Sequence, residues 1–260
     1  MSMTELSAPL DPLSEDDFNA LEKTLENSLR EIESLQSTTD FLPRLQSYQE
    51  IRRQRARKRP KADKKPENAY HHGNLRQSFI TITMEQAEIH GISEISLRNI
   101  AKQAGVSAPA LYRHFKDKEA LLAAVAEQGF LELYEWLTIA APEIIPPEQA
   151  LPRFFSAYIE FMSTYPVYFH LMFGPELQNR QSYPDLLTAH EKLLSLLIAL
   201  ILRGRQAQIF SQSISVEAQA LSCWSALHGF AGLSIMGLID NNKDSLSQLI
   251  NGLSHGLQLE

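Results

Sequence analysis

Apolar residues recur along this chain at every third or fourth position, the period of one helix face, and no alternating strand pattern persists. Phe18, Leu21, Leu25, Ile32 and Leu35 form the first such seam, interrupted by Ser28. Ser14 stands ahead of it as a cap, followed by Glu15, Asp16 and Asp17, whose charges suit the positive end of a helix dipole. Residues 14–37 therefore predict an amphipathic helix that either docks on its own protein or serves as a short coiled coil or partner-binding helix. Leu75, Phe79, Ile82 and Ala87 predict a second helix, from Asn74 to the stop residue Gly91.

Two short helices follow. Ser96 precedes "LRNIAKQAG", with Leu97, Ile100, Ala101 and Ala104 on one face and Gly105 as its stop. Ser107 opens the next, with Pro109 in the first turn, where a missing N–H costs nothing, and Leu111 and Phe115 turned inward. Asp117 then caps a long helix, "KEALLAAVAEQGFLELYEWL", that runs toward Pro142. Proline and glycine punctuate five further helical patterns at 147–165, 167–173, 184–208, 215–239 and 243–257. The 215–239 segment is apolar nearly all round and rich in Ala, Gly and Ser, which predicts a close helix-helix interface, best placed between subunits. The fold class is all-α.

A helix, a glycine turn and a short second helix form the arrangement whose second helix enters the DNA major groove. Side chains near the start of that helix reach base edges, and Tyr112, His114 and Lys118 can donate to phosphates. A half-buried aromatic Tyr112 and a plain surface His114 are the competing readings.

Charge sharpens this picture. The chain of 260 residues carries a formal net charge of -7, yet the charges are segregated. Residues 1–50 hold Lys23, Arg30 and Arg44 against eleven acids, whereas 51–65 hold nine Lys and Arg against Asp63 alone. That basic stretch, with Pro60 and Pro66 and almost no large apolar residue, cannot bury a core. It reads as a solvated linker or as an arm whose Arg52, Arg53, Arg55, Arg57, Lys58 and Arg59 lie along the DNA backbone. The organisation is thus an acidic extension with one helix (1–50), a basic arm (51–69), a DNA-binding domain (70–118) and a helical regulatory and dimerisation domain (119–260).

Other classes of function are excluded in turn. The single Cys223 rules out a disulfide framework or thiolate metal cluster and, in an apolar helix, reads as an inert thiol. The longest apolar run, Leu193–Leu202, is half of the ~20 residues that a membrane span needs. The first eighteen residues lack the features of a secretory signal, so a cytoplasmic, nucleoid-associated protein is expected. "HEKLL" at His190–Leu194 has no second His at zinc-protease spacing and reads as an ordinary helix face. With no phosphate loop, nucleotide-binding glycine pattern or serine elbow, neither an enzyme nor a bound cofactor or metal is expected.

The string "ISLRNIAKQAGVSAPALYRHFKDKEALLAAV" resembles the DNA-binding domain of TetR-type transcriptional regulators, a likeness covering roughly residues 70–125. "YHHGNLR" (70–76), "YPVYFHLMFG" (165–174) and "WSALHGFA" (224–231) further resemble the TetR subgroup whose C-terminal domain is named for a Trp-His-Gly signature. The resemblance implies a homodimer formed through the last two long helices, a double-stranded operator, and a small-molecule effector bound inside each regulatory domain. It also implies that Arg98, Ser107, Ala108, Pro109, Ala110, Tyr112, His114 and Lys118 touch DNA. Ala108, Pro109 and Ala110 depart from many relatives: their side chains neither donate nor accept, so they would meet thymine methyls, leaving polar readout to Arg98 helped by Arg113.

The effector, apolar or amphipathic, would meet a pocket drawn from Tyr134, Tyr158, Phe161, Met162, Phe169, Met172 and Trp224, although such residues at helical spacing also make plain core. His228 is a candidate to hydrogen-bond it, or to satisfy a buried carbonyl or meet its counterpart across the dimer. The expected protein is a ligand-responsive repressor. The alternative is an architectural protein that recruits a partner through residues 14–37 without an effector.

Overall fold

A computed structural model describes residues 75–258. The expected helix at 14–37 and the basic arm at 51–69 lie outside the described residues. Nine α-helices and one 3-10 turn make up the described part, in the order α1 (Leu75–His90), α2 (Leu97–Gln103), α3 (Ala108–Tyr112), α4 (Lys118–Ala140), α5 (Pro147–Thr164), α6 (Pro166–Phe173), the turn Arg180–Ser182, α7 (Pro184–Gln206), α8 (Val216–Ile235) and α9 (Lys243–Leu257). No strand occurs among the described residues; Phe210 and Gln258 form an isolated antiparallel bridge.

Local chemistry sets these boundaries. Helices α5, α6 and α7 each begin on a proline, which lacks the N–H that the first turn would leave unpaired. Asp117, Ser215 and Asn242 cap α4, α8 and α9, each accepting from a backbone N–H three residues on. Ser96 and Ser107 stand at cap positions, but neither side chain makes the capping bond. Between α2 and α3, Gly105 takes a φ of 73°, its N–H donating to Lys102 O and that of Val106 to Ala101 O. This pair of bonds closes a helix end on a left-handed residue, a conformation that glycine adopts at least cost.

The first three helices bury Phe79, Ile80, Ile82, Met84, Ala87, Ile100, Ala101, Leu111 and Phe115 as one small core. Helix α4 is the spine of the rest. It packs against α1 near its start and against α5, α6 and α7 along its length. Trp136 on α4 is wholly buried and donates its indole N–H to Ala157 O at 3.1 Å, tying the far end to α5. Helix α8 packs on α5 and α7. The other side of α8 is exposed in the single chain, with Leu221 64%, Leu233 42% and Met236 64% accessible.

Two glycines permit close approach. At Gly129 a Cβ would lie 2.8 Å from Met172 Sδ, and at Gly204 it would fall within the Phe210 ring. Phe210 is 2% exposed and belongs to the bridge to Gln258, so it has nowhere to retreat cheaply. Gly204→Ala should therefore destabilise the protein by about 1–3 kcal/mol. Chemical denaturation checks this, and an unchanged midpoint contradicts the packing described.

Candidate DNA-reading surface and cavity of the helical domain

The reading surface is built on the buried pair Leu111 and Phe115, of which Phe115 meets the Phe79 ring of α1 edge-on at 6.4 Å. With those two inward, Ser107, Pro109, Tyr112, Arg113 and His114 are exposed, and Ala108 and Ala110 half-exposed. Arg98, second residue of α2, is exposed too. Tyr112 is 49% accessible, while the His114 ring sits edge-on to Phe79 at 5.7 Å, fixing its direction. Lys118 donates its ammonium to Ser93 O at 2.9 Å, so in this state it steadies the loop between α1 and α2. From Leu97 to Lys116 the chain holds Arg98, Lys102, Arg113 and Lys116 and no Asp or Glu. A cationic stretch free of acids, on a net acidic chain, is what a polyanion would meet.

A cavity of about 280 Å³ opens in the helical domain, lined by Phe130 of α4, Met172 and Phe173 at the end of α6, Arg180 and Gln181 of the 3-10 turn, and Leu186, Leu187 and His190 of α7. Of the residues expected to contact an effector, Met172 lines it. Tyr158, Trp224, His228 and Phe169 form an aromatic cluster behind it. Tyr158 and Trp224 rings lie 5.5 Å apart, and the Phe169 ring stacks on His228 at 4.7 Å. The His228 ring also meets Phe173 at 4.4 Å, which joins the cluster to the cavity wall. The Tyr158 hydroxyl lies 3.1 Å from His228 Nδ1. Phe161 and Met162 have no exposed surface, and Tyr134 lies beneath the Lys192 ammonium, 4.3 Å from its ring centre.

The 3-10 turn links cavity and reading head. Arg180, in the cavity wall, donates to Met172 O at 2.6 Å and Gly174 O at 2.8 Å. Its neighbour Asn179 donates a backbone N–H to Glu119 Oε1, 2.9 Å away in the first turn of α4. Lys116, at the edge of the reading surface, sits 5.7 Å from the ring centre of Tyr183. On the other side Arg76 of α1 pairs with Glu127 of α4 at 3.5 Å and lies over the Phe115 ring.

Comparison with known proteins agrees with this geometry. Residues 80–125 match the family of bacterial regulatory proteins, tetR family, and residues 151–253 match the tetracyclin repressor-like C-terminal domain, together more than half of the chain. The chain belongs to the tetR family. An uncharacterized HTH-type transcriptional regulator, YobS of Bacillus subtilis, is 22% identical over 68% of this chain and 87% of its own length. The tetracycline repressor protein class C of Escherichia coli is 42% identical over 52 residues, 20% of this chain and 24% of that protein. A solved structure of a protein of unknown function from Rhodococcus sp. RHA1 superposes with a TM-score of 0.66 at 26% identity, over 75% of this chain and all of that one.

TetR-family proteins are DNA-binding transcription regulators, not enzymes, and the helix-turn-helix of this TetR-family protein is α2, the Gly105 turn and α3. Arg180 and His190 are cavity residues that reading the sequence misses. Arg180 sits in an aperiodic stretch, and His190 has no patterned partner in sequence. No described helix is long and apolar enough to cross a membrane.

Burial lowers the pKa of both His190 and His228 below 6.5, with Arg180 reinforcing the shift at His190 and Glu191 opposing it. The unfolded chain then binds more protons than the folded one as pH falls through 6.5. The stabilisation from keeping these rings neutral is fully present above 6.5 and is lost on acidification toward the folded values. Denaturation at pH 7.5 and 5.5 should show lower stability at 5.5, with a smaller difference in a His190→Gln, His228→Gln variant. An equal or larger pH dependence in that variant contradicts the assignment.

Proposed function

We propose that this protein is a ligand-responsive repressor that holds a palindromic operator as a homodimer and is released when a small apolar or amphipathic effector enters the cavity. The observation that carries the reading is the 3-10 turn, which contributes Arg180 to the cavity wall and holds Glu119 through Asn179 beside the reading head. An effector that favours one position of the turn shifts the population of head orientations by its differential affinity. The cavity weighs against the alternative of an architectural protein without an effector.

On the DNA, Arg98 reads a base edge with Arg113 beside it, Ser107, Ala108, Pro109 and Ala110 enter the groove, and Tyr112, His114 and Lys118 hold phosphates. Lys118 would exchange its bond to Ser93 O for that contact. The charge of residues 51–65 supports contact of the arm with flanking phosphates and association with the nucleoid. Trp224, His228 and Gly229 support the subgroup named for those residues.

The dimer surface is the exposed row Leu221, Ser225, Gly229 and Leu233 of α8 with Met236 at its C-cap, whose small residues let two helices approach closely. Gly232 faces inward, where an added Cβ would lie 3.2 Å from the Phe169 ring, so Leu233 is the position to test. Leu233→Glu should convert a dimer to monomer in sedimentation without loss of helical content. A monomeric parent protein contradicts the dimer.

The operator can be recovered by genome-wide mapping of bound DNA, and two substitutions then separate the roles of the head. Arg98→Ala should cost ~1–3 kcal/mol on that operator and relax preference at one base pair. Tyr112→Phe should weaken binding to operator and random DNA alike. Equal losses on both DNAs for Arg98→Ala sink the base-reading role.

A further inference from the structure

The cavity has two chemistries. Phe130, Met172, Phe173, Leu186 and Leu187 make it apolar, while Arg180, Gln181 and His190 give it a polar side. The Arg180 guanidinium is pinned by the Met172 and Gly174 carbonyls, using one hydrogen on each terminal nitrogen. A guanidinium has five such hydrogens. Its pinning partners are neutral, and no ion pair among the described residues takes up its charge. Glu176 is the acid whose field it feels, and burial opposes that field. His190, kept neutral by burial and by Arg180 itself, adds a hydrogen-bond donor and acceptor without a second positive charge. At about 280 Å³ the cavity lies at the small end of ligand pockets, which start at ~300 Å³, and suits a small molecule.

We propose that the effector is a small monocarboxylic acid with a ring-sized apolar body, its carboxylate received by Arg180 and His190 and its body laid against Phe130, Met172 and Leu187. The proposal rests on the reading of this cavity as the effector site. A carboxylate on a partly buried guanidinium makes charge-assisted bonds roughly twice as strong as neutral ones. An amine would meet the Arg180 charge, and a second carboxylate would have to lie on the apolar wall without a partner. Selection therefore falls on one negative charge at one end. The carboxylate competes with the Met172 and Gly174 carbonyls for the guanidinium, and any movement of Arg180 is passed to Asn179 and its bond to Glu119.

Calorimetric titration of the full-length protein tests this with benzoate and cyclohexanecarboxylate against benzamide, the neutral analogue of the same shape. At least one acid should bind ten or more times tighter than benzamide. Arg180→Gln should erase the difference and Arg180→Lys, which keeps the charge, should restore part of it, with circular dichroism checking that each variant is folded. Benzamide matching both acids, failure of both acids to bind, or an acid preference that survives Arg180→Gln overturns the proposal. Leu187→Trp, which fills the cavity, separates this failure from that of the effector-site reading. If a neutral compound binds and Leu187→Trp abolishes its binding, the cavity stands as the site and the carboxylate does not. If benzoate binds Leu187→Trp as it binds the parent, both fail.

Discussion

Helix α4 is tied to other elements near both ends, and the packing of the rest of the helical domain depends on this constraint. At its start the Glu119 carboxylate accepts the backbone N–H of Asn179 at 2.9 Å, immediately after the reading surface. Toward its end the buried Trp136 indole is tied to Ala157 O. In the proposed mechanism a helix held in this way moves as a rod, and a change along its side appears at its start as a change in the direction of the head. The close approach of α6 at Gly129, where Met172 and Tyr168 touch the α4 backbone, brings the cavity wall directly against that rod.

Electrostatics divides the labour. The acid-free stretch from Leu97 to Lys116 belongs to a chain whose net charge is negative, so its attraction to a polyanion orients the encounter. Inside the helical domain several arginines cap backbone carbonyls. Arg203 donates to Ile145 O at 2.6 Å, and Arg205 donates to the buried Gln219 amide oxygen at 2.9 Å, both near the end of α7. Arg180 differs in facing an open space as well as its two carbonyls, which is why it carries the chemistry of the cavity.

The helices were legible in the sequence because their signals are local. Proline at the first position, a cap such as Asp117, and glycine at the left-handed sites 91 and 105 act within a turn of where they stand. The helix-turn-helix was legible for the same reason, with its inward residues Leu111 and Phe115 spaced one turn apart. The cavity was not, because its wall is drawn from four elements whose juxtaposition no short pattern records. Aromatic and methionine spacing points to a set of which Met172 lines the cavity and Tyr158, Phe161 and Met162 are fully buried. His190 reads as an ordinary helix face until Phe130 and Trp224 are brought beside its ring.

In the proposed mechanism the state of the cavity sets the separation of the two heads in a dimer. Pulsed dipolar spectroscopy measures this directly, with a spin label on Lys102→Cys, exposed on α2, in a Cys223→Ala background. Comparing that protein with one also carrying Leu187→Trp, which fills the cavity, should give a shifted label-to-label distance in two otherwise similar dimers. The same distance distribution in both would contradict the coupling of cavity to head.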